Sequence, residues 1–555
     1  MSAAIGASAA RRAAAVLLAA VAAYLVATEG GLAALHAGAA TGLLAALFAL
    51  ATGRVLVAAV LTAGFVAAVA SLAHVKRERT DFILHAWDVF EPAQWRFVGW
   101  DLPSAFPLAC AVFALALASM AAALVLRRRE PRDAPWPWAA AAVALCAATT
   151  GVAAHLKGEP RQLQYTWSDL HLSSFYSSIP EALEAALRRG RLFEMAPAAT
   201  GRPFDPARAC APAQRLPHIL LIHQESVAPP SALPGLAYDK GLDAFFRSHD
   251  GRAHALRVET YGGASWLTEF SVLTGMSSRF FGGMRNFVQI YMAGRVDDAL
   301  PATLARCGFR TVMFYPYLKG FFGSARFFES VGLRDIRDSA AQKVASSQEP
   351  DHVYYANALD EIARHVSDDG RPLFLFVQTM AAHWPYDVTY WPERVVAGGG
   401  ADPEMHEYLR RLAMARIDYD ALKRDLATRF PGERFLIVHY GDHQPLATRR
   451  FFGFDAEEIE EINARLPPDS PAMRTYFAVD AVNHAPPPLD LPETVDAAYL
   501  GAVLLQAAGL PLPDSWQARL ELLRACGGRY ADCPDRAAVL AFHRRLVESG
   551  LVRAR

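Results

Sequence analysis

Five apolar stretches crowd the first 155 residues of the chain, and each is about 20 residues long, enough to cross a bilayer as a helix. A secretory signal peptide is the alternative for the first stretch, but four more follow it directly. The pattern predicts an N-terminal α-helical membrane domain of about five transmembrane helices over residues 1–157. The stretches cover residues 13–28, 31–52, 54–74, 104–126 and 136–155.

The placement of lysine and arginine sets the orientation of these helices. With the N-terminus in the cytoplasm, the arginines at 11–12, 54, 127–129 and 132 all lie on the cytoplasmic side, and an odd number of spans exports everything after residue 156. The run Lys76-Arg77-Glu78-Arg79 then falls on the outer side, where we interpret it as a basic rim that faces lipid phosphates; a miscounted helix is the alternative. The sequence thus predicts a multi-pass membrane protein whose C-terminal part lies outside the cytoplasm.

Beyond the membrane domain, a polar connector (158–214) precedes a long stretch in which strands alternate with helices (215–510). Alternation of this kind indicates a mostly parallel sheet with helices on both faces. We therefore predict an α/β domain over residues 215–510 and a helical tail over residues 511–555. The predicted strands are 218–223, 254–260, 309–315, 372–378, 434–439 and 475–480, and the predicted helices are 240–248, 265–274, 298–306, 353–366, 405–429 and 495–509.

Ser265 stands where a glycine-rich turn opens one of these helices, in the stretch Gly262-Gly263-Ala264-Ser265-Trp266. Free backbone N–H groups and the positive end of a helix dipole gather at such a point, and both favour a phosphate-like anion. A serine hydroxyl is a poor nucleophile unless a base or a metal activates it. The alternative is a plain helix N-cap, which is the usual role of a serine at this position.

Metal-binding side chains follow two of the predicted strands. Glu225 comes just after strand 218–223, and Asp442-His443 comes after strand 434–439. In open α/β sheets, sites collect at the carboxyl ends of strands. Two carboxylates and an imidazole, completed by Ser265, make a mixed oxygen and nitrogen site that suits Mn²⁺, Mg²⁺ or Zn²⁺. Each residue alone also fits an ordinary loop or turn, whereas their joint occurrence at strand ends is much more specific.

These motifs resemble the lipoteichoic acid synthase and phosphoglycerol transferase branch of the sulfatase/alkaline phosphatase superfamily, over roughly residues 215 to 510. The resemblance implies one divalent metal, with Mn²⁺ preferred, held by Glu225, Ser265, Asp442 and His443. It also implies that Ser265 is the nucleophile and that His383 contacts the substrate. The matching pieces are Ile-Leu-Leu-Ile-His-Gln-Glu225, Gly-Gly-Ala-Ser265-Trp-Leu-Thr-Glu-Phe, Ala382-His383-Trp384-Pro385-Tyr386 and Gly441-Asp442-His443-Gln-Pro.

Two features depart from that family. Its lipoteichoic acid synthases carry a threonine nucleophile, where this chain has Ser265, and a Trp-x-Arg that grips the lipid head group. The corresponding stretch here, residues 320–326, offers Phe322 in place of the tryptophan and Arg326 in place of the arginine. We assign Phe322, Arg326 and Trp384 to substrate binding, and the mismatch leaves the identity of the head group open. His223 and His439 lie within strands and are expected behind the site or in the core.

The resemblance predicts transfer of a phosphoglycerol-type head group from a phosphatidylglycerol-like phospholipid to a cell-envelope glycan. Ser265 would carry the group as a phosphoserine, diacylglycerol would leave, and His383 would stabilise or protonate the departing oxygen. The protein would lie in the inner (cytoplasmic) membrane with its catalytic domain on the periplasmic side. The alternatives are a phosphoethanolamine transferase, a membrane-anchored phosphodiesterase or sulfatase-like hydrolase, and an inactive scaffold. Sulfatases need Cys/Ser-x-Pro-x-Arg, and Ser265-Trp-Leu-Thr-Glu269 lacks that Pro and Arg.

Charge and cysteine content exclude other classes of protein. The net charge of −1 by itself says nothing about nucleic acid, but no basic block interleaved with aromatic residues favours such a partner, and we expect none. Six cysteines do not make a disulfide-dense scaffold. Cys526 and Cys533 can pair locally if that end lies outside the cytoplasm, and Cys210 and Cys307 can pair too, although nothing local requires it.

Overall fold

The chain folds into two compact units, Met1–Arg189 and Gly190–Arg555. This computed structural model describes residues 2–80, 83–86, 88, 106–129, 132–157, 172–187, 192–198, 201–205, 215–319, 324–346, 348–393, 396–400, 402–454 and 459–554.

The first unit is all helical, as the apolar stretches predict. Within its described residues, four helical segments are long and apolar enough to cross a membrane: Ser8–Thr28, Gly31–Thr52, Val55–Arg77 and Trp136–Leu156. A further long helix lies over the remaining predicted stretch, 104–126, whose first two residues are outside the described part. The helices are α1 Ser2–Thr28, α2 Gly31–Thr52, α3 Val55–Thr80, α4 Phe106–Arg129, α5 Trp136–Lys157 and α6 Leu172–Leu187.

Helix α6 falls in the predicted polar connector but packs against α2 and α3. Its backbone N–H groups at Leu172 and Ser173 donate to the Glu29 carboxylate at the end of α1, at 2.7 and 3.2 Å. One turn further on, the Tyr176 hydroxyl lies 3.0 Å from the Thr41 hydroxyl of α2. The first part of the connector therefore belongs to the helical unit.

The environment of Lys76, near the end of α3, differs from the basic rim that the sequence predicts for residues 76–79. Its side chain is buried, with 7% of the residue exposed, and its Nζ lies 2.6 Å from Asp88 Oδ2. The same carboxylate oxygen accepts the His85 N–H at 2.7 Å. A buried ammonium needs such a partner, because an unpaired charge away from water is very costly. The interpretation of Lys76 as part of a basic rim facing lipid phosphates is therefore wrong.

The second unit is built around an eight-stranded mixed sheet with the order β4-β3-β5-β1-β6-β7-β2-β8. Neighbouring strands run parallel except where β7 pairs with β6 and β2. Every residue of β1, β5 and β6 is buried, which explains why these strands read as continuous apolar runs. The strands are β1 His218–Gln224, β2 His254–Arg257, β3 Arg310–Phe314, β4 Asp335–Arg337, β5 Leu373–Thr379, β6 Phe435–Gly441, β7 Arg474–Val482 and β8 Thr494–Asp496.

Most predicted elements of this domain are present, and the differences have local causes. The predicted strand 254–260 ends at Arg257, and the predicted helix 240–248 is a 3₁₀ helix, Lys240–Phe246. Strands β4 and β8 were not predicted, because three residues are too few to show a pattern. The helices are α7 Trp266–Thr274, α8 Val288–Met292, α9 Leu300–Arg306, α10 Ser324–Ser330, α11 Ser339–Gln342, α12 Asp351–Asp368, α13 Pro403–Arg429, α14 Ile459–Arg465, α15 Ala497–Ala507, α16 Asp514–Ala525 and α17 Arg536–Glu548, with further 3₁₀ helices at Pro230–Ala232, Ser278–Phe287, Leu446–Phe452 and Pro471–Met473.

The C-terminal tail is helical, as predicted, and α16 packs against α15. A disulfide joins Cys526 to Cys533 just after α16, which confirms the suggested local pair. Cys210 lies outside the described residues, so its pairing with Cys307 stays a prediction.

The strand register brings three loops to one edge of the sheet. Gln224 at the end of β1 lies opposite Thr379 of β5 and Gly441 of β6. The residues that follow these three parallel strands must therefore meet, since parallel strands end at the same edge. Those loops carry Glu225, His383 and Asp442-His443.

Candidate active site

Ser265 lies at the first turn of α7 but does not cap it. Its backbone is helical (φ −47°, ψ −34°) and its side chain makes no capping hydrogen bond. Instead Oγ donates to Glu225 Oε2 at 2.9 Å and lies 3.4 Å from His443 Nε2. Ala264 just before it adopts the left-handed conformation at φ 62°, which a residue with a Cβ rarely does. The turn thus directs the hydroxyl away from the helix and toward the strand ends.

Glu225, Asp442 and His443 converge on this hydroxyl. The His443 Nε2 lies 3.2 Å from Glu225 Oε1 and 3.2 Å from Asp442 Oδ2. Asp442 Oδ1 accepts the N–H of Ser226, whose φ of 57° turns that group inward. The His443 Nδ1 lies 3.0 Å from the Gln444 carbonyl, which can only accept, so Nδ1 donates to it and Nε2 faces the cluster.

His223 joins the same cluster, although its position in a strand had placed it behind the site or in the core. Its Nε2 lies 3.3 Å from Asp442 Oδ2 and 3.6 Å from Glu225 Oε2. Ligand atoms of His223, Glu225 and Asp442 all lie within 4.8 Å of one another. The sequence carried one usable signal: His223 and Glu225 are two residues apart at the end of a strand, and alternation puts such residues on the same face.

The charges of this cluster are strongly coupled. Burial lowers the pKa of His223, but the Asp442 carboxylate outweighs it and raises the pKa to about 10. Burial likewise opposes the protonation of His443, whose pKa the Asp442 and Glu225 carboxylates raise to about 9. Burial raises the pKa of Glu225, but His223 and His443 hold it well below its usual range. The Glu225 and Asp442 carboxylates therefore stabilise positive charge close to them.

The donor set fits a divalent cation. Asp442 Oδ2 is buried and has no hydrogen-bond partner among the described residues, because the imidazole nitrogens near it do not have hydrogen-bond geometry. An orphaned buried carboxylate oxygen beside imidazole nitrogens is costly unless a cation binds there. Carboxylate, imidazole and hydroxyl ligands suit Mn²⁺, Mg²⁺ or Zn²⁺.

His383 lies in the loop after β5, next to the cluster. Burial lowers its pKa, and the nearby Glu225 carboxylate opposes this. Its Nδ1 is buried and has no hydrogen-bond partner in the described part of the chain. The loop is held from α13 by Arg411, which is fully buried and donates to the carbonyl oxygens of His383 and Val388 at 2.9 and 2.8 Å. His383 is therefore positioned by its backbone while its ring stays available.

Two of the three residues assigned to substrate binding lie in the described part of the chain. Trp384 is 47% exposed beside His383. Arg326 is exposed on α10, and no hydrogen bond or ion pair joins it to the described residues. Phe322 lies outside the described residues. Their assignment to substrate binding stays a prediction.

Comparison with known proteins agrees with this site. Residues 254–454 match the family model described as Sulfatase. A curated relative from Haemophilus influenzae, described as an uncharacterized protein, is 24% identical over 338 residues, which are 58% of this chain and 56% of the relative. The match thus spans little more than half the length of that relative.

Three solved structures are similar to parts of this chain. Streptococcus pyogenes phosphoglycerol transferase GacH in complex with sn-glycerol-1-phosphate is 16% identical and has a TM-score of 0.49, over 62% of this chain and 88% of GacH. The lipoteichoic acid synthase LtaP from Listeria monocytogenes is 15% identical with a TM-score of 0.40, over 56% of this chain and 76% of LtaP.

The integral membrane protein lipooligosaccharide phosphoethanolamine transferase A (EptA) from Neisseria meningitidis is 11% identical with a TM-score of 0.44, over 87% of this chain and 92% of EptA. All three TM-scores lie below 0.5, so none of these likenesses is evidence for a shared activity. The family match stands apart from them and includes Ser265, His383, Asp442 and His443. Through residues 254–454 this chain therefore carries a domain that matches the Sulfatase family model.

Proposed function

We propose that this protein is a membrane-bound, metal-dependent transferase that moves a phosphoglycerol-type head group from a phospholipid to a cell-envelope glycan. The observation that carries the proposal is the Ser265 hydroxyl, which leaves its helix uncapped and bonds to Glu225 at 2.9 Å inside a buried cluster of carboxylates and imidazoles. The apolar helices of the first unit supply a reason for a lipid donor, because a hydrolase of soluble esters needs no such helices.

Glu225, Asp442 and His443, with His223 beside them, would hold the metal at Ser265. A bound divalent cation supplies positive charge that makes loss of the Ser265 proton accessible near neutral pH. Mn²⁺ is the ion we expect, on the family resemblance.

In the first step, Ser265 Oγ bonds to the donor phosphorus while the bond from phosphorus to the diacylglycerol oxygen breaks. The Ser265 proton leaves to bulk water, while Glu225 stays ionised and holds Oγ in place through the hydrogen bond it accepts before the attack. His383, protonated once the anionic phosphodiester lies beside it, gives its proton to the departing oxygen, and diacylglycerol leaves. The product is a phosphoserine that carries the glycerol head group.

In the second step, a glycan hydroxyl attacks the phosphoserine. His383 is neutral after the first step, and its lowered pKa favours that form, so it takes the proton of the attacking hydroxyl. Ser265 Oγ leaves and regains its proton from bulk water. The proton of the glycan hydroxyl has thus replaced the one that left with diacylglycerol, and the residues return to their starting state.

The test supplies head-group-labelled phosphatidylglycerol to the full chain in detergent, with and without a glucan acceptor. Label on the glucan, diacylglycerol as co-product and a mass increase of one phosphoglycerol on the Ser265 peptide are expected. Labelled phosphatidylethanolamine in a parallel reaction distinguishes a phosphoethanolamine transferase. Release of free glycerol phosphate at a rate indifferent to every acceptor would establish a hydrolase and overturn the proposal.

We further propose that the chain lies in the inner membrane, crosses it several times and exposes residues 215–510 on the periplasmic side. The Cys526–Cys533 disulfide supports this, since such bonds persist in oxidising compartments.

A further inference from the structure

Three polar atoms near Ser265 are buried without a partner. Both side-chain atoms of Asn286, Oδ1 and Nδ2, and Oε1 of Gln289 have no hydrogen-bond partner in the described part of the chain. Each of the two residues is only 1% exposed. Buried amides in native proteins are almost always bonded, because an unmet amide costs most of its hydration energy. Three such atoms, on two residues that are three positions apart in the chain, therefore indicate a site for a ligand.

Hydrogen bonds join this pair to Trp266, the residue that follows the nucleophile. The Trp266 indole Nε1 donates to the Asn286 carbonyl at 2.9 Å, and Gln289 Nε2 donates to the Trp266 carbonyl at 3.2 Å. Trp266 is the residue after Ser265. Gln289 Nε2 also donates to Glu269 Oε2 of α7 at 3.0 Å. This bond fixes the orientation of the Gln289 amide, whose Oε1 has no partner among the described residues. Asn286 belongs to the 3₁₀ helix Ser278–Phe287, which packs against both α7 and α8. Helix α7 begins at the nucleophile, and α8 also packs against α10.

The unpartnered atoms define the chemistry of the ligand. Two carbonyl oxygens accept and one amide N–H group donates. A hydroxyl matches both roles, since it donates one hydrogen and offers lone pairs. An ammonium group donates only and would leave Asn286 Nδ2 without an acceptor. Two neighbouring hydroxyls, as in glycerol, would satisfy all three atoms.

We propose that Asn286, with Gln289, binds the hydroxyl groups of the transferred head group and so selects a glycerol-type over an ethanolamine-type donor. This inference rests on the proposed function, because it takes Ser265 to receive the head group. The departure from the Trp-x-Arg pattern left the identity of the head group open, and the Asn286 amide would decide it.

Binding to an inert enzyme tests it without turnover. The full chain with Ser265→Ala, in detergent, is titrated with glycerol 1-phosphate and with ethanolamine phosphate. Asn286→Leu in that background should weaken glycerol phosphate about tenfold and ethanolamine phosphate clearly less, because only a hydroxyl can both donate to Oδ1 and accept from Nδ2. Asn286→Asp should reverse the preference, since a carboxylate accepts from an ammonium. Equal effects on both ligands, or none, overturn the inference.

Stability provides a second, independent readout. If the amide serves only a ligand, Asn286→Leu should raise the thermal midpoint of the ligand-free chain by about 2 °C, because an orphaned polar group has been removed. Asn463→Leu is the matched control. Its amide oxygen accepts from Tyr261 at 2.8 Å and its Nδ2 donates to the Tyr261 carbonyl at 2.8 Å, so that variant should lower the midpoint. A lowered midpoint for Asn286→Leu would show a structural role and overturn the inference.

The two proposals fail in different ways. Transfer by the native enzyme with unchanged donor preference in both Asn286 variants would reject the inference alone. Selective binding of glycerol phosphate that depends on Asn286, together with no transfer to any acceptor, would reject the transferase and keep the head-group site. If Asn286→Leu does not fold, the reversed preference of Asn286→Asp decides.

Discussion

Ser265 does not behave as serines at helix starts usually do. Because its hydroxyl bonds Glu225 and makes no capping bond, Ser265→Ala should cost little stability, within about 0.5 kcal/mol. Turnover should fall by about 10³-fold or more, since a nucleophile and its activating groups act as a unit. Rate assays with thermal unfolding of the same preparations check both expectations. Ser265→Thr keeps a hydroxyl and should retain part of the activity. A phosphorylated peptide from the alanine variant would show that another residue is the nucleophile.

Asp442 offers a separate test of the metal cluster. Asp442→Asn preserves the oxygen that accepts the Ser226 N–H but removes the charge of the unpartnered oxygen. Bound metal, measured by elemental analysis after purification, should drop substantially, and activity with it. Asp480→Asn is the control, because that buried carboxylate bonds Tyr419 and Lys423 elsewhere. Metal content that is equal in the two variants would mean that the ligands are misassigned.

Helix α7 is anchored at the end opposite the nucleophile. Arg519, fully buried on α16, donates to the carbonyls of Thr274 and Gly275 at 3.0 and 3.2 Å and pairs with Asp298 at 2.8 Å. A cation at a helix C-terminus is stabilising there. Arg519→Met should lower the free energy of unfolding by about 3 kcal/mol, because it removes the buried charge partner of Asp298 and leaves that carboxylate only the longer ion pair with Arg306, at 3.7 Å. Denaturant unfolding measures this value.

The double variant Arg519→Met with Asp298→Asn should recover part of the loss, since no buried carboxylate then lacks Arg519 as its partner. Arg553→Met removes an exposed pair with Asp297 and should change stability by less than about 1 kcal/mol. If Arg519→Met proved as mild as Arg553→Met, α7 would not depend on this anchor.

The whole second unit should lose stability in acid through His543. Burial lowers the pKa of His543 to about 4, while its Nδ1 donates to the Glu194 carbonyl and its ring lies 2.9 Å from the Tyr530 hydroxyl. The unfolded chain binds this proton near pH 6.5 and the folded chain only near 4. The neutral His543 therefore contributes its full share to the free energy of unfolding above pH 6.5. This share, about 3 kcal/mol, is lost as the pH falls through 4.

Unfolding free energies measured between pH 4 and 7 check this slope, and His543→Gln should flatten it. The flattening should be partial, because burial also lowers the pKa of His439 to about 4. An unchanged slope in the variant would place the acid sensitivity in other groups.

The topology of the whole molecule can be tested with reporters. With the N-terminus inside and an odd number of spans, an alkaline phosphatase fused after Arg555 should be active, because that enzyme needs an oxidising compartment. A fluorescent reporter that folds only in the cytoplasm should be dark at the same site. Maleimide labelling of the intact chain should leave Cys526 and Cys533 unmodified until a reductant is added. Activity of the cytoplasmic reporter alone would reverse the orientation.

Local patterns in the sequence determined the elements and their class. Long apolar runs read as membrane-length helices because a bilayer demands about 20 apolar residues in succession. Buried parallel strands read as short apolar runs, and β1, β5 and β6 lie within a residue or two of the predicted bounds. Glu225, Ser265 and Asp442-His443 stood out because each follows a strand or opens a helix, and such positions show in neighbouring residues. Short strands such as β4 have no such local signature.

Only the tertiary structure decided which of these residues meet and how. The register of β1 between β5 and β6 brings His223 into the cluster with Glu225 and Asp442, a contact across more than 200 positions of chain. The fold buries the Asn286 amide without a partner in the described part of the chain, although its sequence context is unremarkable. Burial likewise pairs Lys76 with Asp88, where a charge count had left it at a lipid surface. Partner choice depends on distance and burial in the folded chain, and neither is written in a local pattern.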